Sequence, residues 1–395
     1  MFGAIYVGLS GLNAYSQGLQ QVSNNVTNMN SSGFKGSTVS FNDLVSVSSA
    51  GGLSYSNGGP ASGNGVEIGE PTLNFKQGDL RQTDRDLDLA IDGSGFFVLM
   101  RGDDILYTRT GSFQVDKDGY IVLAGTDYRL ATLDSSGRAV SLSIDESRTS
   151  APEATTTIKF ADNLSSTATA PFTLSDVKVY DAKGTEHVWK IEFAKSTGGA
   201  PDEWTVTVKD GAGTTIGTKT LKFVGGVVDV TTNQLLVEDT AAGLSVTLDF
   251  SQGVTSFSSG TISTLRAASV NGHKLGTITS VQVNEKGELE IGYSNEEKKQ
   301  LGSIAIADFR DPQALEQRSG GLFVDNRGLA QRQFLTSQDG RVGRIMSRRL
   351  EASNVDLARQ FGDLILIQRG FQASSQIISV ANDMIQQLFG IRGQG

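Results

Sequence analysis

The chain has 395 residues, too many for one ordinary core, and reads as two or three domains. Hydrophobic residues are 38% and charged residues 19%, a globular balance, and the formal charge of −9 argues against a general affinity for nucleic acid or anionic membrane. There is no cysteine, which excludes disulfides, thiolate metal sites and cysteine nucleophiles, and the two histidines, His187 and His273, leave little room for a metal cluster or a histidine triad.

The chain opens on MFGAIYVGLSGLNAYSQ, which lacks the basic region and small-residue cleavage site of a secretory signal. No run approaches the ~18 apolar residues that cross a bilayer, so export would need another route and membrane insertion is not expected. Ile5, Leu12, Leu19 and Val26 recur every seventh position, while a second series begins at Leu9 and fades into Ser16 and Ser23. That is a helix with one strong and one weak seam.

The helix pattern stops at SNNVTNMNSSGFKG, residues 23–36. Asn24, Asn25 and Asn28 fit a helix stop, because Asn enters the left-handed region readily and its amide bonds free carbonyls or a neighbouring subunit. Gly33 permits a turn, Phe34 is suited to anchor the following connector against a helix, and Lys35 is expected to pair with a carboxylate on a neighbour. In residues 46–65, 14 of 20 positions are Ser, Gly or Asn, the composition of a loop or extended linker.

From there the period changes to two. Residues 177–180, 189–193, 204–208 and 246–250 alternate as half-buried strands do. VDKDGY, LDSSGR, YDAKGTE and NEKGELE each place a polar residue two or three before a Gly, which suits a type I turn whose last residue takes a positive φ. Together with 47 glycines, well above the usual ~7%, they predict an antiparallel β middle. Segments 149–157 and 165–171, rich in Thr, Ala and Ser, read as borders of an inserted β domain.

Local strings with chemical associations have simpler readings. Arg101-Gly102-Asp103 reads as a hairpin turn rather than an adhesive ligand, and Asp116-Lys117-Asp118-Gly119 lacks the later ligands of a calcium loop. Asp84, Asp86 and Asp88 alternate with Leu87 and Leu89, which predicts one solvated strand face. Trp189 and Trp204 read as core, and His187 has no second ligand within reach. No phosphate loop, nucleophile elbow or dinucleotide fingerprint is present.

The C-terminal end restores the seven-residue period: Leu350, Leu357, Leu364, Phe371, Ile378 and Ile385. The companion series Asn354, Phe361, Gln368, Ser375, Asn382 and Phe389 is mostly polar or small. LEASNVDL reads as the helix start, with Ser353 or Asn354 as cap and Asp356 favouring the dipole, although Leu350 already fits the period. Two helices with apolar stripes and no helical neighbours are expected to pack on each other; their weak second seams suit a bundle built from several subunits, and the pattern fits an intramolecular helical hairpin capping a β domain equally well.

Three strings resemble the axial proteins of the bacterial flagellum. They are GLSGLNAYSQGLQQVSNNVTNMNSSGFKGSTVSFNDLV at 8–45, DLDLAIDGSGFFVL with YTRTGSFQVDKDGYIV within 86–122, and LEASNVDLARQFGDLILIQRGFQASSQIISVANDMIQQL at 350–388. Flagellins lack the GSGFFVL block and rod proteins carry little between the blocks, so the resemblance is to hook proteins. A distal rod-like subunit is the alternative.

The resemblance implies a nested, mainly β protein with helical ends. Residues 1–29 and 350–395 would form an inner tube, and 30–69 a connector. Residues 70–145 and 273–349 would form a discontinuous β domain, with 146–272 an inserted outer antiparallel one. It implies a non-enzymatic, cofactor-free subunit that polymerises with itself into a bending tube outside the cell. Its implied partners are the rod, the hook cap, the hook–filament junction proteins and the flagellar type III export apparatus. Ile5, Leu9, Leu12, Leu19, Val26, Leu350, Leu357, Phe361, Leu364, Phe371, Ile378 and Ile385 would be the helical assembly residues. Gln368, Arg369 and Gln372 would set register and line the channel. A glycan-binding outer domain is a competing reading that rests only on the two Trp.

Overall fold

The structure is a computed structural model that describes residues 2–45, 63–102, 104–196, 202–326, 328 and 330–392. It divides into two units. The first holds Met1–Asp145, Val281–Glu290 and Gln300–Gly395, and the second holds Glu146–Ser280 and Ile291–Lys299. The second unit therefore runs past residue 272. Strand Gly276–Val283 begins by pairing with Thr149–Ser150, which keeps its first half with the second unit.

In the second unit, strands follow the order Phe172–Tyr180, Glu186–Lys195, Glu203–Lys209, Thr215–Val224, Val227–Val228, Val254–Thr255, Thr157–Asn163, Leu244–Asp249, Gln234–Asp239. Alternation decides their faces: Glu203–Lys209 and Gln234–Asp239 bury every second residue. The inward residues close a core around Trp189, Trp204, Phe160, Phe193 and Phe250, with the Phe160 and Phe250 rings stacked at 4.5 Å. Among the described strands of this unit pairing is antiparallel except that Thr157–Asn163 runs parallel to Leu244–Asp249 and to Val254–Thr255. Segment 165–171 is internal to this unit, with Ser165 buried and its hydroxyl donating to the Gly260 carbonyl at 2.6 Å.

In the first unit, Phe96–Arg101 is buried on both faces along Phe96–Leu99, as its unbroken apolar run requires. It pairs with Asp104–Thr108, Arg129–Leu133 and Ile306–Phe309. Phe75, Phe96, Phe309 and Phe323 pack edge-on or tilted over it at 5.5–5.7 Å between centroids. Strands Leu89–Asp92 and Leu80–Gln82 pair with Arg344–Ser347 and Arg349–Glu351, tying the C-terminal segment to this unit. Leu350 thus lies in a strand and not in the helix.

The hairpin turns share one device. Asp116, Asp134, Asp181 and Asn284 each accept two backbone N–H groups on Oδ1, and the glycine three residues on has φ between +74° and +80°. This accounts for Asp116–Gly119 without a cation. Strands Phe96–Arg101 and Asp104–Thr108 meet at a turn through Gly102, whose φ is +59°; Asp103 of the Arg-Gly-Asp string lies outside the described residues. The acidic stretch does not form the expected strand face. Residues 84–87 form a bend and a turn outside any strand, Asp86 pairs with Arg348 at 2.6 Å, and Asp88 is 3% exposed.

Two helices complete the first unit: α1, Phe2–Thr27, and α2, Leu357–Arg392. They pack on each other with the expected seven-residue period but in a different phase. α1 buries Gly8, Gly11, Ala14, Gly18, Val22 and Asn25, and α2 buries Gln360, Ile367, Ser374 and Ala381. Close approach explains this choice. A Cβ at Gly8 would lie 2.7 Å from Ile378, one at Gly11 2.4 Å from the Ser374 hydroxyl, and one at Gly370 inside the Tyr15 ring contact at 2.4 Å. Ile5, Leu12, Val26, Leu364, Ile378 and Ile385 border this seam half-buried, whereas Leu9, Leu19, Leu357, Phe361 and Phe371 are exposed. Of the connector, residues 46–62 lie outside the described residues; Phe41–Val45 and Gly63–Ile68 pair as a hairpin held to α1 by the Val66 N–H on the Ser10 hydroxyl at 3.2 Å.

Candidate functional site: the helix–connector junction

The end of α1, the connector and the start of α2 meet around Asn25. Its buried side chain accepts the Ser37 N–H at 3.0 Å, and its amide donates to the Ser37 carbonyl at 2.7 Å and to Gln360 Oε1 at 2.9 Å. One amide therefore binds α1, the chain after the turn and α2. Asn28 donates to the Asn24 carbonyl and to Asn24 Oδ1, both at 2.9 Å, closing the last turn of α1. None of the three asparagines has a positive φ. The left-handed residue is Gly33, at +68°, where a Cβ would also lie 2.6 Å from the Arg109 backbone. Phe34 is buried beside it.

Asn354 is not the helix cap. Its amide donates to the carbonyls of Asn74 and Lys76, at 2.6 and 2.8 Å, and its Oδ1 accepts the Gly36 N–H at 2.9 Å. Asp356 caps α2 instead, accepting the N–H groups of Ala358 and Arg359 at 2.9 and 3.3 Å. The helix begins at Leu357, two residues later than an Asn354 cap would start it, because the strand through Glu351 and the bonds of Asn354 hold the preceding chain extended.

Beneath this lies a buried ionic cluster. Lys35 Nζ meets Glu351 Oε1 at 2.5 Å, both side chains fully buried, so the partner of Lys35 is in its own chain and not on a neighbour. Glu351 Oε1 also accepts the Gly78 N–H at 2.9 Å, and its Oε2 meets the Arg109 guanidinium at 3.1 Å. Lys35 donates further to the Lys76 carbonyl, and Arg109 to the carbonyls of Ile91 and Gly93. Burial pushes the pKa of Lys35 and of Arg109 down, and the Glu351 carboxylate pulls each back up. Arg109 and Glu351 were not singled out by sequence reasoning. The three resembling strings each contribute one charge here, at Lys35, Arg109 and Glu351, which is the signal that would have found them.

The arrangement holds four chain segments together through hydrogen bonds and ion pairs. Among the described residues no group of acidic and histidine side chains is placed to hold a metal ion. His187 meets Asp181 at 3.5 Å, and Trp189 and Trp204 are sealed in the core of the second unit.

Comparison with known proteins agrees with this geometry. Residues 90–163 match the profile described as flagellar hook protein FlgE/F/G D1 domain, and residues 346–391 that described as flagellar basal body rod FlgEFG protein C-terminal. The flagellar hook protein FlgE of Brucella suis is 30% identical over 408 residues, covering 99% of each chain. The chain belongs to the flagellar hook protein FlgE family. FlgE proteins of Salmonella typhimurium and Treponema pallidum are 28% and 27% identical, over 97% and 99% of this chain and 98% and 100% of theirs. The crystal structure of Helicobacter pylori flagellar hook protein FlgE2 shares the fold at a TM-score of 0.50 and 14% identity, covering 69% of this chain and 99% of that one.

Proposed function

We propose that this chain is the non-enzymatic structural subunit of a flagellar hook, polymerising with itself through its terminal helices into a tube that joins rod to filament outside the cell. The observation that carries this is the surface of the helix pair. α2 exposes Leu357, Phe361, Ile365, Leu366, Phe371, Ile377, Val380 and Met384, which lie on several sides of the helix. Large apolar side chains left exposed on several sides of one helix mark a surface that a partner covers. α1 carries no charged residue and exposes Tyr6 and Leu9 at the rim of a groove of about 850 Å3, walled by Leu44, Val66 and Ile68. No described helix is long and apolar enough to cross a membrane, so neighbouring copies are the natural cover.

The C-terminal profile names rod as well as hook proteins, but the full-length relatives are hook proteins, which favours hook over distal rod. The rod, the hook cap, the hook–filament junction proteins and the type III export apparatus are the proposed further partners. Limited proteolysis of the full chain before and after polymerisation tests the reading. Residues 2–27 and 357–392 should be cut faster in the free subunit than in the polymer; equal resistance in both states overturns it. In a null strain, electron micrographs should show rods without hooks.

A further inference from the structure

Lys35 and Arg109 come from segments 74 residues apart, and both lie in a site that water does not reach: Lys35 and Glu351 are fully buried and Arg109 nearly so. Among the described residues, the only carboxylate in contact with either cation is Glu351, more than 240 residues further along the chain. Its carboxylate is held by donors from three places: Lys35, the Gly78 N–H and Arg109. Until it arrives, folding the connector onto the β strands brings two cations together in a dry site. That arrangement costs desolvation with no compensating charge.

The segment that delivers Glu351 also delivers the rest of the junction. Strand Arg349–Glu351 pairs with Leu80–Gln82, the Glu351 carbonyl accepts the Gly33 N–H at 2.8 Å, and Asn354 ties residues 36, 74 and 76. α2 starts directly after it, and Gln360 in its first turn reaches the Asn25 amide. The charge that closes the cluster and the helix that pairs with α1 therefore arrive on one short stretch.

We propose that Glu351 is a closing latch: Lys35 and Arg109 keep the connector and the end of α1 undocked until the C-terminal segment seats its carboxylate between them, so that only a chain with both ends in place presents a docked helix pair. The latch is a property of one chain, so it is tested on the unpolymerised, full-length protein and stands or falls separately from the hook reading.

Hydrogen exchange read by mass spectrometry distinguishes the latch from ordinary packing. In Glu351→Gln, amides of residues 33–37 should exchange roughly a hundredfold faster or more, the scale of losing one partner of a buried pair, while those of 186–209 stay unchanged. In Glu351→Ala, excess acetate should restore protection by returning a carboxylate to the vacated space, and chloride at equal ionic strength should not. Lys35→Met combined with Glu351→Gln should recover part of what Glu351→Gln loses, and it remains readable where the single variant fails to fold. Unchanged exchange in Glu351→Gln, equal effects of acetate and chloride, or a double variant no better protected than the single one would each overturn the latch.

Discussion

The second unit and the terminal helix pair use apolar residues in opposite ways. The second unit turns Trp189, Trp204, Phe160, Phe193 and Phe250 inward on alternating strands and closes a core from its own sequence. The helix pair spends glycine, alanine and serine on its internal seam and leaves its bulky residues outside, with Leu366 67% and Leu9 59% exposed. One region is finished as a single chain, and the other has the surface of a part awaiting neighbours. A bending tube fits this division, since the helices would carry the apolar contacts between subunits while the closed β unit moves without opening its core.

The largest effect that would test this contrast is on the outer face of α2. Replacing Phe361, Leu366 and Phe371 with Ser should abolish polymerisation, measured by sedimentation and electron microscopy, while the far-ultraviolet spectrum of the monomer changes little. Normal tubes from that variant would mean that the exposed face is not the assembly face. Trp189→Ala should act in the reverse sense. It should destabilise the second unit by about 3–5 kcal/mol, as removal of a buried aromatic does, and leave exchange protection at the α1–α2 seam intact. Loss of protection in both regions would show that they do not fold independently.

A finer test compares two glycines of the same helix. At Gly362 a Cβ meets nothing within 4 Å, so Gly362→Ala should gain about 0.8–1 kcal/mol of helix stability in the monomer. At Gly370 the same methyl meets the Tyr15 ring at 2.4–2.8 Å, so Gly370→Ala should forfeit that gain and loosen the seam. Thermal melts followed at 222 nm decide the order. If both variants gain equally, the close approach of the two helices is not what sets their phase.

That phase is where the sequence was hardest to read. The seven-residue period was visible at both ends, and so was the alternation of the strands from residue 177 to 250, because both depend on where bulky apolar residues recur. Which series faces the partner helix depends instead on where residues are small enough for two backbones to approach. Gly8, Gly11 and Ser374 carry no hydropathy signal for that. The junction was half legible. Asn25, Gly33, Phe34, Lys35 and Asn354 all lie in it, but Asn354 binds carbonyls rather than capping α2, and Lys35 finds its carboxylate in its own chain. Pairings that span 316 residues, as Lys35 with Glu351 does, leave no local periodicity to find.

The smallest predicted effect compares one turn from each region. Asp181 in the second unit and Asp339 in the first both titrate at about 2, below the ordinary 3.8. Asp181 is held down mainly by the Thr185 backbone N–H and then by that of Lys183, with His187 a smaller contributor, and Asp339 mainly by the Arg341 guanidinium and then by the Arg341 backbone N–H. Because the folded pKa is depressed, each turn's contribution is fully present above about 3.8 and is lost as pH falls through about 2. Salt should separate them. A guanidinium pair at the surface is screened within a Debye length, whereas N–H groups fixed at hydrogen-bond distance are not. In carboxyl carbon shifts followed by nuclear magnetic resonance at low and high salt, the Asp339 midpoint should move up from about 2 further than that of Asp181. An equal movement of both would mean that net charge, and not the local turn geometry, holds these carboxylates ionised.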